Sequence, residues 1–236
     1  MLANRTVVDF RKIRAMARVR YPPLCRSIVG IGKTLDGIKK VSEHSLIVRD
    51  GTQTRELIDE TAVRLFGEKG FKETTIRDIS LSAKIAEGTL YRHYESKEEL
   101  AWQLFVRYNS LLSERLDGAQ EQQGNTASRL TAIIREFSSF YEANPKAVEF
   151  LFLTRHGFMQ RLNPRTRNPY LVFRRVIRAG MNSGEIPAMD ADVATSMVMG
   201  IMLQIIDTGL VTGRIRQKLS DLETVIVNAC MRVLSV

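Results

Sequence analysis

From Ala86 to His93 the chain reads Ala-Glu-Gly-Thr-Leu-Tyr-Arg-His, a short stretch dense in hydrogen-bonding groups. Thr89, Tyr91, Arg92 and His93 can all donate to phosphate oxygens and base edges. Gly88 costs about 1 kcal/mol in a helix interior relative to Ala. That cost makes sense where the backbone must come close to another surface. Tyr91 reads as a ligand group, since Leu90 beside it is the better core residue. Lys97 lies in the first turn of the next helix, where its charge opposes the macrodipole. Folding alone has no evident use for it there, whereas together with free helix N–H groups it suits a phosphate. Arg77 reads equally as a phosphate contact or a solvated charge. Glu87 can accept from a cytosine amine or simply be tolerated at the rim, and the second reading is preferred.

The elements that position these residues are helical. Ile58, Thr61, Ala62, Leu65 and Phe66 make one apolar stripe at helical spacing, and Gly70 is a natural stop. Thr74-Thr75 open a second short helix, with Asp78 three residues after Thr75 as in a capping box. Its inner face is Ile76, Ile79 and Ala83. A third segment runs from Ala86 to about Tyr94. Ser96-Lys97-Glu98-Glu99 caps a fourth helix, which carries Leu100, Leu104, Tyr108, Leu111 and Leu112. Three short helices with a tight second-to-third connection have the geometry of a helix-turn-helix.

Further helices are expected over Leu130–Tyr141, Ala147–Met159, Tyr170–Met181 and Asp190–Val211. A last one is capped by Ser220 with Glu223. Gly118–Gly124 reads as a polar connection and Arg165–Pro169 as a basic loop. No strand alternation stands out, so the fold class is all-α.

Charge and composition narrow the functions. Of 35 basic and 26 acidic residues, 11 and 4 lie in the first fifty, so most of the net charge of +9 belongs to a leader broken by Pro22-Pro23, Gly30, Gly32 and Gly37. A basic tail binds polyanions without specificity. The leader reads as irregular chain, or as coding sequence upstream of a later start such as Met16. It has no apolar h-region of a secretory signal. Two cysteines cannot build a disulfide framework, and three scattered histidines have no metal-ligand spacing. A reducing, cytoplasmic location follows. Val193–Ile206 is the longest charge-free apolar stretch, too short for a membrane span. Gly30-Ile31-Gly32-Lys33-Thr34 lacks the first glycine and the strand of a P-loop. No paired carboxylates, nucleophile elbow or metal cluster suggests an enzyme, so no catalytic residue, metal or cofactor is expected.

Residues 74–100, TTIRDISLSAKIAEGTLYRHYESKEEL, resemble the TetR family of transcriptional regulators. The resemblance runs from about Thr54 to Leu100. It rests on the Thr-Thr start, Asp78-Ile79, Gly88-Thr89-Leu90-Tyr91 and the Ser96–Leu100 cap. It implies an N-terminal DNA-binding headpiece and a C-terminal helical domain that binds a small effector and dimerises through its last two helices. It places the recognition helix at Ala86–Tyr91 and phosphate contacts on Thr75, Tyr91, His93 and Lys97. Three positions depart from the pattern: Lys84 where the turn usually has Gly, Ala86 where a capping Ser is common, and Glu95 for a frequent Pro.

The expected division is a leader at 1–50, a headpiece at 51–100 and an effector-binding and dimerisation domain at 101–236. Phe137, Phe140, Tyr141, Phe150, Leu153, Phe158, Met159, Tyr170 and Phe173 form a central apolar cluster. Most of it reads as core, and the resemblance raises the chance that part of it lines a cavity. Phe137, Phe140, Phe150, Leu153, His156, Met159 and Phe173 are the effector candidates, with Arg155 as a further polar neighbour. The Asp190–Val211 helix is apolar nearly all round, and the last helix is similarly rich. Met197, Ile201, Ile205, Leu222, Val225 and Ile226 are therefore assigned to a homodimer interface of four helices, in preference to a helix buried at the centre of a monomer. The expected function is a ligand-responsive repressor on palindromic double-stranded DNA, released by a small molecule. A nonspecific architectural DNA binder and an all-α enzyme are the other classes.

Overall fold

The computed structural model describes residues 51–163 and 166–235. The leader, its Gly30–Thr34 segment, Cys25 and Arg165 lie outside the described residues. Those described are helical, with no strand. In order they form α1 (Gly51–Lys69), α2 (Ile76–Ala83), α3 (Glu87–Tyr91), α4 (Lys97–Gln120), α5 (Thr126–Ala143), α6 (Pro145–Phe158), α7 (Pro169–Asn182), α8 (Ala191–Thr212) and α9 (Glu223–Leu234). Single 3-10 turns, Met159–Arg161 and Ser220–Leu222, follow α6 and precede α9.

The helix starts follow from local hydrogen bonding. At α2, Thr75 accepts from the Asp78 amide and Asp78 accepts from the Thr75 amide, the reciprocal box expected from their spacing. Those bonds and Lys69 hold the Asp78 carboxyl below its ordinary range. At α4, Ser96 accepts from the Glu99 amide, but Glu99 turns to Gln103 Nε2 instead of closing the box. Lys84 takes a left-handed conformation (φ 54°, ψ 48°) in the turn between α2 and α3. This is the position where the sequence lacks the usual Gly, and a non-Gly residue there costs about 1–2 kcal/mol. Ala86 caps α3 with no side-chain hydrogen bond.

Three sequence expectations are corrected. Gly118 does not open a connection, because α4 continues through it to Gln120. Ser220 does not cap α9: its amide donates to Glu142 Oε1 on α5, and the 3-10 turn intervenes. The third concerns length for a membrane span: the charge-free stretch Val193–Ile206 is 14 residues, but the helix that holds it, found at Ala191–Thr212 close to its expected bounds, is 22. Ala191–Leu210 is long and apolar enough by length and composition to cross a membrane, yet its Ala194, Val198, Met202 and Ile206 stripe is buried against the protein.

Two apolar clusters hold the helices together. One gathers Ile58, Ala62, Phe66, Ile79, Leu90, Tyr94, Leu100, Leu104 and Phe105 with Ala147, Phe150 and Phe158 of α6. The other gathers Leu112, Leu116, Leu130, Ile134, Phe137, Phe140, Phe173, Ile177, Val198, Met202, Ile226 and Cys230. Helix α4 feeds both, with Leu100 to Phe105 in the first and Leu112 and Leu116 in the second. Helix α6 also feeds both, through Phe150 and Val148. A displacement of either helix in one cluster is therefore felt in the other.

Candidate nucleic-acid interface and effector cavity

Helix α3 is only five residues long, so its own backbone bonds cannot sustain it in water. Leu90 anchors it. This side chain is 0% exposed, and full burial of a leucine contributes about 1.5–3 kcal/mol. Burying Leu90 turns the opposite face outward. Ala86, Glu87, Gly88, Tyr91 and Arg92 are exposed, with Tyr91 at 52%. Thr89 and His93 are half-buried, and Arg92 Nη2 donates to Thr89 Oγ1 at 3.2 Å. Among the described residues no heavy atom lies within 4 Å of a Cβ built on Gly88, so none of them requires a glycine there. Thr75 and Arg77, at the start of α2, are exposed as well.

Lys97 is the exception among the candidate DNA contacts. Its Nζ donates to the carbonyls of Phe71 at 3.0 Å, Thr74 at 2.9 Å and Lys72 at 3.4 Å. It also sits 4.5 Å from the Phe71 ring centroid. An ammonium has three donors, and all three are taken. The expectation that folding has no use for Lys97 is therefore corrected: it ties the start of α4 to the α1–α2 turn.

Sequence reading missed a polar tie beneath the headpiece. The Tyr94 hydroxyl donates to Asp59 Oδ1, Arg55 Nε donates to the Tyr94 hydroxyl at 3.1 Å, and Arg107 Nη1 reaches Asp59 Oδ2 at 2.9 Å. Burial raises the Asp59 carboxyl above its ordinary value, although Tyr94 and both arginines pull it back. Burial and the Asp59 charge push the Tyr94 hydroxyl up to about 12. The tie fastens α1, the exit of α3 and α4 to one another. Its members lie 35–48 positions apart, so no local spacing could reveal it.

A second site lies between α4, α5, α6, α7 and α8. It is an apolar cavity of about 340 Å³ lined by residues that include Phe105, Asn109, Leu112, Phe137, Phe152 and Met199. That volume falls at the lower end of the range for small-molecule sites. Of the sequence candidates, Phe137 and Met159 line it. The other five do not, for reasons of helix phase. On α6, Val148, Leu151, Phe152 and Arg155 follow at helical spacing along the cavity wall. Phe150 falls on the opposite face, where it stacks on Phe66 with ring centroids 5.5 Å apart. Leu153 and His156 point to solvent. Phe140 and Phe173 are fully buried in the core behind the wall. The contribution of α4 was missed because its apolar stripe reads as plain core.

The dimer candidates also divide. Met197 and Val225 are 47% and 65% exposed, and Ile201, Ile205 and Leu222 are half-buried. Ile226 is 1% exposed inside its own subunit's core, and that removes it as an interface residue. Cys230 is buried as expected, and burial lifts its thiol to about 11. Among the described residues no group of three or more acidic, His or Cys side chains could hold a metal ion.

A donor-rich short helix held outward by one leucine, joined to a helical body with a cavity, is the arrangement of a helix-turn-helix headpiece on a helical domain. Residues 58–104 match the model for bacterial regulatory proteins of the tetR family. It is 28% identical over 153 residues to the HTH-type transcriptional repressor KstR2 of Rhodococcus jostii, spanning 61% of this chain and 72% of that protein. Among solved structures, the transcriptional regulator FadR of Bacillus subtilis in complex with stearoyl-CoA superposes with a TM-score of 0.62 at 19% identity, covering 75% of this chain and 97% of that one. The fatty acid degradation regulator FadR of Bacillus halodurans gives 0.68 at 16% identity, covering 75% and 94%. The two structures share this fold.

Proposed function

We propose that the protein is a cytoplasmic repressor that binds a palindromic operator as a homodimer and leaves it when a small effector enters the cavity. The observation that carries this reading is the α3 surface: Leu90 buried, Gly88, Tyr91 and Arg92 exposed and Thr89 half-buried, with Thr75 and Arg77 exposed at the start of α2. Such a helix suits a major groove. Two of them on a two-fold axis suit half-sites about 34–36 Å apart, or a multiple of that. The exposed Met197 and Val225 supply apolar surface for the second copy. Similarity to proteins named repressors supports the sign of regulation.

The switch follows from shared helices. Helix α4 carries Phe105, Asn109 and Leu112 in the cavity wall and Leu100, Leu104 and Arg107 in the headpiece packing. An effector that binds better to a shifted α4 biases the headpiece through the Asp59–Tyr94 tie. A coupling of about 1–3 kcal/mol lowers operator affinity about 5–150-fold. A complex of a fold relative with stearoyl-CoA supports an effector with an apolar part.

The test is Tyr91→Ala. It is expected to abolish operator binding while leaving the thermal midpoint unchanged, because Tyr91 is exposed. Wild-type affinity in that variant, or a monomer by sedimentation at operator-binding concentrations, overturns the reading.

A further inference from the structure

The cavity is apolar except for a few polar groups, and all but one of those groups is engaged elsewhere. Asn109 Nδ2 donates to the Phe105 carbonyl at 2.9 Å. Asn168 caps α7 through the Leu171 amide at 3.2 Å. The Tyr170 hydroxyl is turned to Asp192 Oδ1 at 2.5 Å, and Ser196 Oγ donates to the Asp192 carbonyl at 2.8 Å. Arg155 is different. Its Nε reaches His156 Nε2 at 3.4 Å and its Cζ lies 3.9 Å from the Phe152 ring centroid. Its Nη1, however, is buried and has no hydrogen-bond partner. No Asp or Glu lines the cavity, and Arg155 makes no ion pair among the described residues.

A buried, unpartnered guanidinium N–H in an apolar wall carries an unmet desolvation cost. A guanidinium remains charged at any working pH, so it cannot escape the cost by losing a proton. A ligand that brings an anionic oxygen to the Arg155 guanidinium, with Nη1 turned out of the wall to receive it, relieves that cost. From this geometry we infer that the cavity takes an amphipathic anion: an apolar body along Phe105, Leu112, Phe137 and Met199, and one carboxylate-type group on Arg155. The inference rests on the cavity being the effector site and adds the chemical class of the effector. Arg155 sets charge preference, and the aromatic and aliphatic wall sets affinity for the body.

The experiment compares decanoate, decanol and decylamine by calorimetry on the full chain, as wild type, Arg155→Met and Arg155→Lys. Wild type is expected to bind decanoate about 10- to 100-fold more tightly than decanol, the range of one charge-assisted hydrogen bond. Decylamine is expected to bind worst. Arg155→Met should lose the preference for decanoate and keep decanol binding, which shows that its cavity is intact. Arg155→Lys should retain part of the preference. Equal binding of acid and alcohol by wild type, a preference that survives in Arg155→Met, or no binding by any of the three overturns the inference. Operator release is read separately by fluorescence anisotropy. An Arg155-dependent preference for decanoate without release sinks the effector-switch reading and leaves the ligand class standing. Release by decanol as readily as by decanoate does the reverse.

Discussion

Lys97 separates a folding role from a DNA-contact role, and Lys97→Met tests which one holds. The substitution keeps the aliphatic stem and removes the ammonium. Bonds from Nζ to the Phe71 and Thr74 carbonyls at 3.0 and 2.9 Å are lost, as is the contact with the Phe71 ring at 4.5 Å. Hydrogen bonds to a charged group contribute about 1.5–3 kcal/mol where buried. Lys97 is half-exposed, so screening discounts them, and the ring contact adds about 0.5–1 kcal/mol. A loss of about 2 kcal/mol is the working figure, which shifts the thermal midpoint of a chain this size by about 4–8 °C. Urea unfolding with an unchanged m-value measures the loss. The companion assay is the salt dependence of operator binding. With the Lys97 donors already engaged, the log–log slope should be the same in variant and wild type. If Lys97 instead held one phosphate in each of two subunits, the slope would flatten by about 1.8. Unchanged stability together with a flattened slope refutes the reasoning.

Four further outcomes are expected. Arg77 and Arg92, one phosphate each per subunit of a dimer, give a headpiece slope of about −3.6. Counting Lys97 with them would give about −5, and the double variant Arg77→Gln/Arg92→Gln should flatten the slope to near what the leader alone contributes. Gly180→Ala places a Cβ against Thr126 Oγ1 and 2.9 Å from Ile186 Cδ1. It should cost about 1–3 kcal/mol by urea unfolding. In a Cys25→Ser background, Cys230 should resist thiol reagents in the native state at pH 8 and react only on unfolding, since its thiol is buried and raised to about 11. In acid, Asp78, Asp192, Glu185 and Glu142 have folded pKa values below their ordinary ones. Their stabilisation is present above the carboxylate range and is lost as pH falls through the depressed values. Asp59 is raised and runs the other way, so Asp59→Asn should steepen the acid loss seen by circular dichroism.

The headpiece was legible because its signals are local. Thr75 with Asp78, Leu90 beside Tyr91, and Ser96 with Glu99 are short-range patterns, and each capping and burial choice follows from neighbours within four residues. The left-handed Lys84 was legible only through the resemblance, which has Gly at that turn position. The cavity was not, because apolar residues on α4 and α6 are shared between core and wall. Only the rotation of each helix decides which is which: Phe150 and Phe152 differ by two positions and face different environments. The end of α4 was misplaced because Gly118 looks like a break, whereas the packing of Leu112 and Leu116 carries the helix past it. Ile226 was misassigned because sequence shows that α9 is apolar on two sides without saying which side its own subunit covers. The Asp59–Tyr94 tie and the unpartnered Arg155 depend on contacts between distant segments, and composition holds no trace of either.

The central claim is that α3 reads a specific duplex as one of a symmetric pair. Selection of bound fragments from a random-sequence duplex library, followed by sequencing, tests it most directly. The expected result is one enriched inverted repeat with half-sites centred about 34–36 Å apart or a multiple of that, favoured over bulk DNA by about 10³ or more and lost with Tyr91→Ala. Recovery of fragments with no shared repeat, at a yield unaffected by Tyr91→Ala, would contradict it.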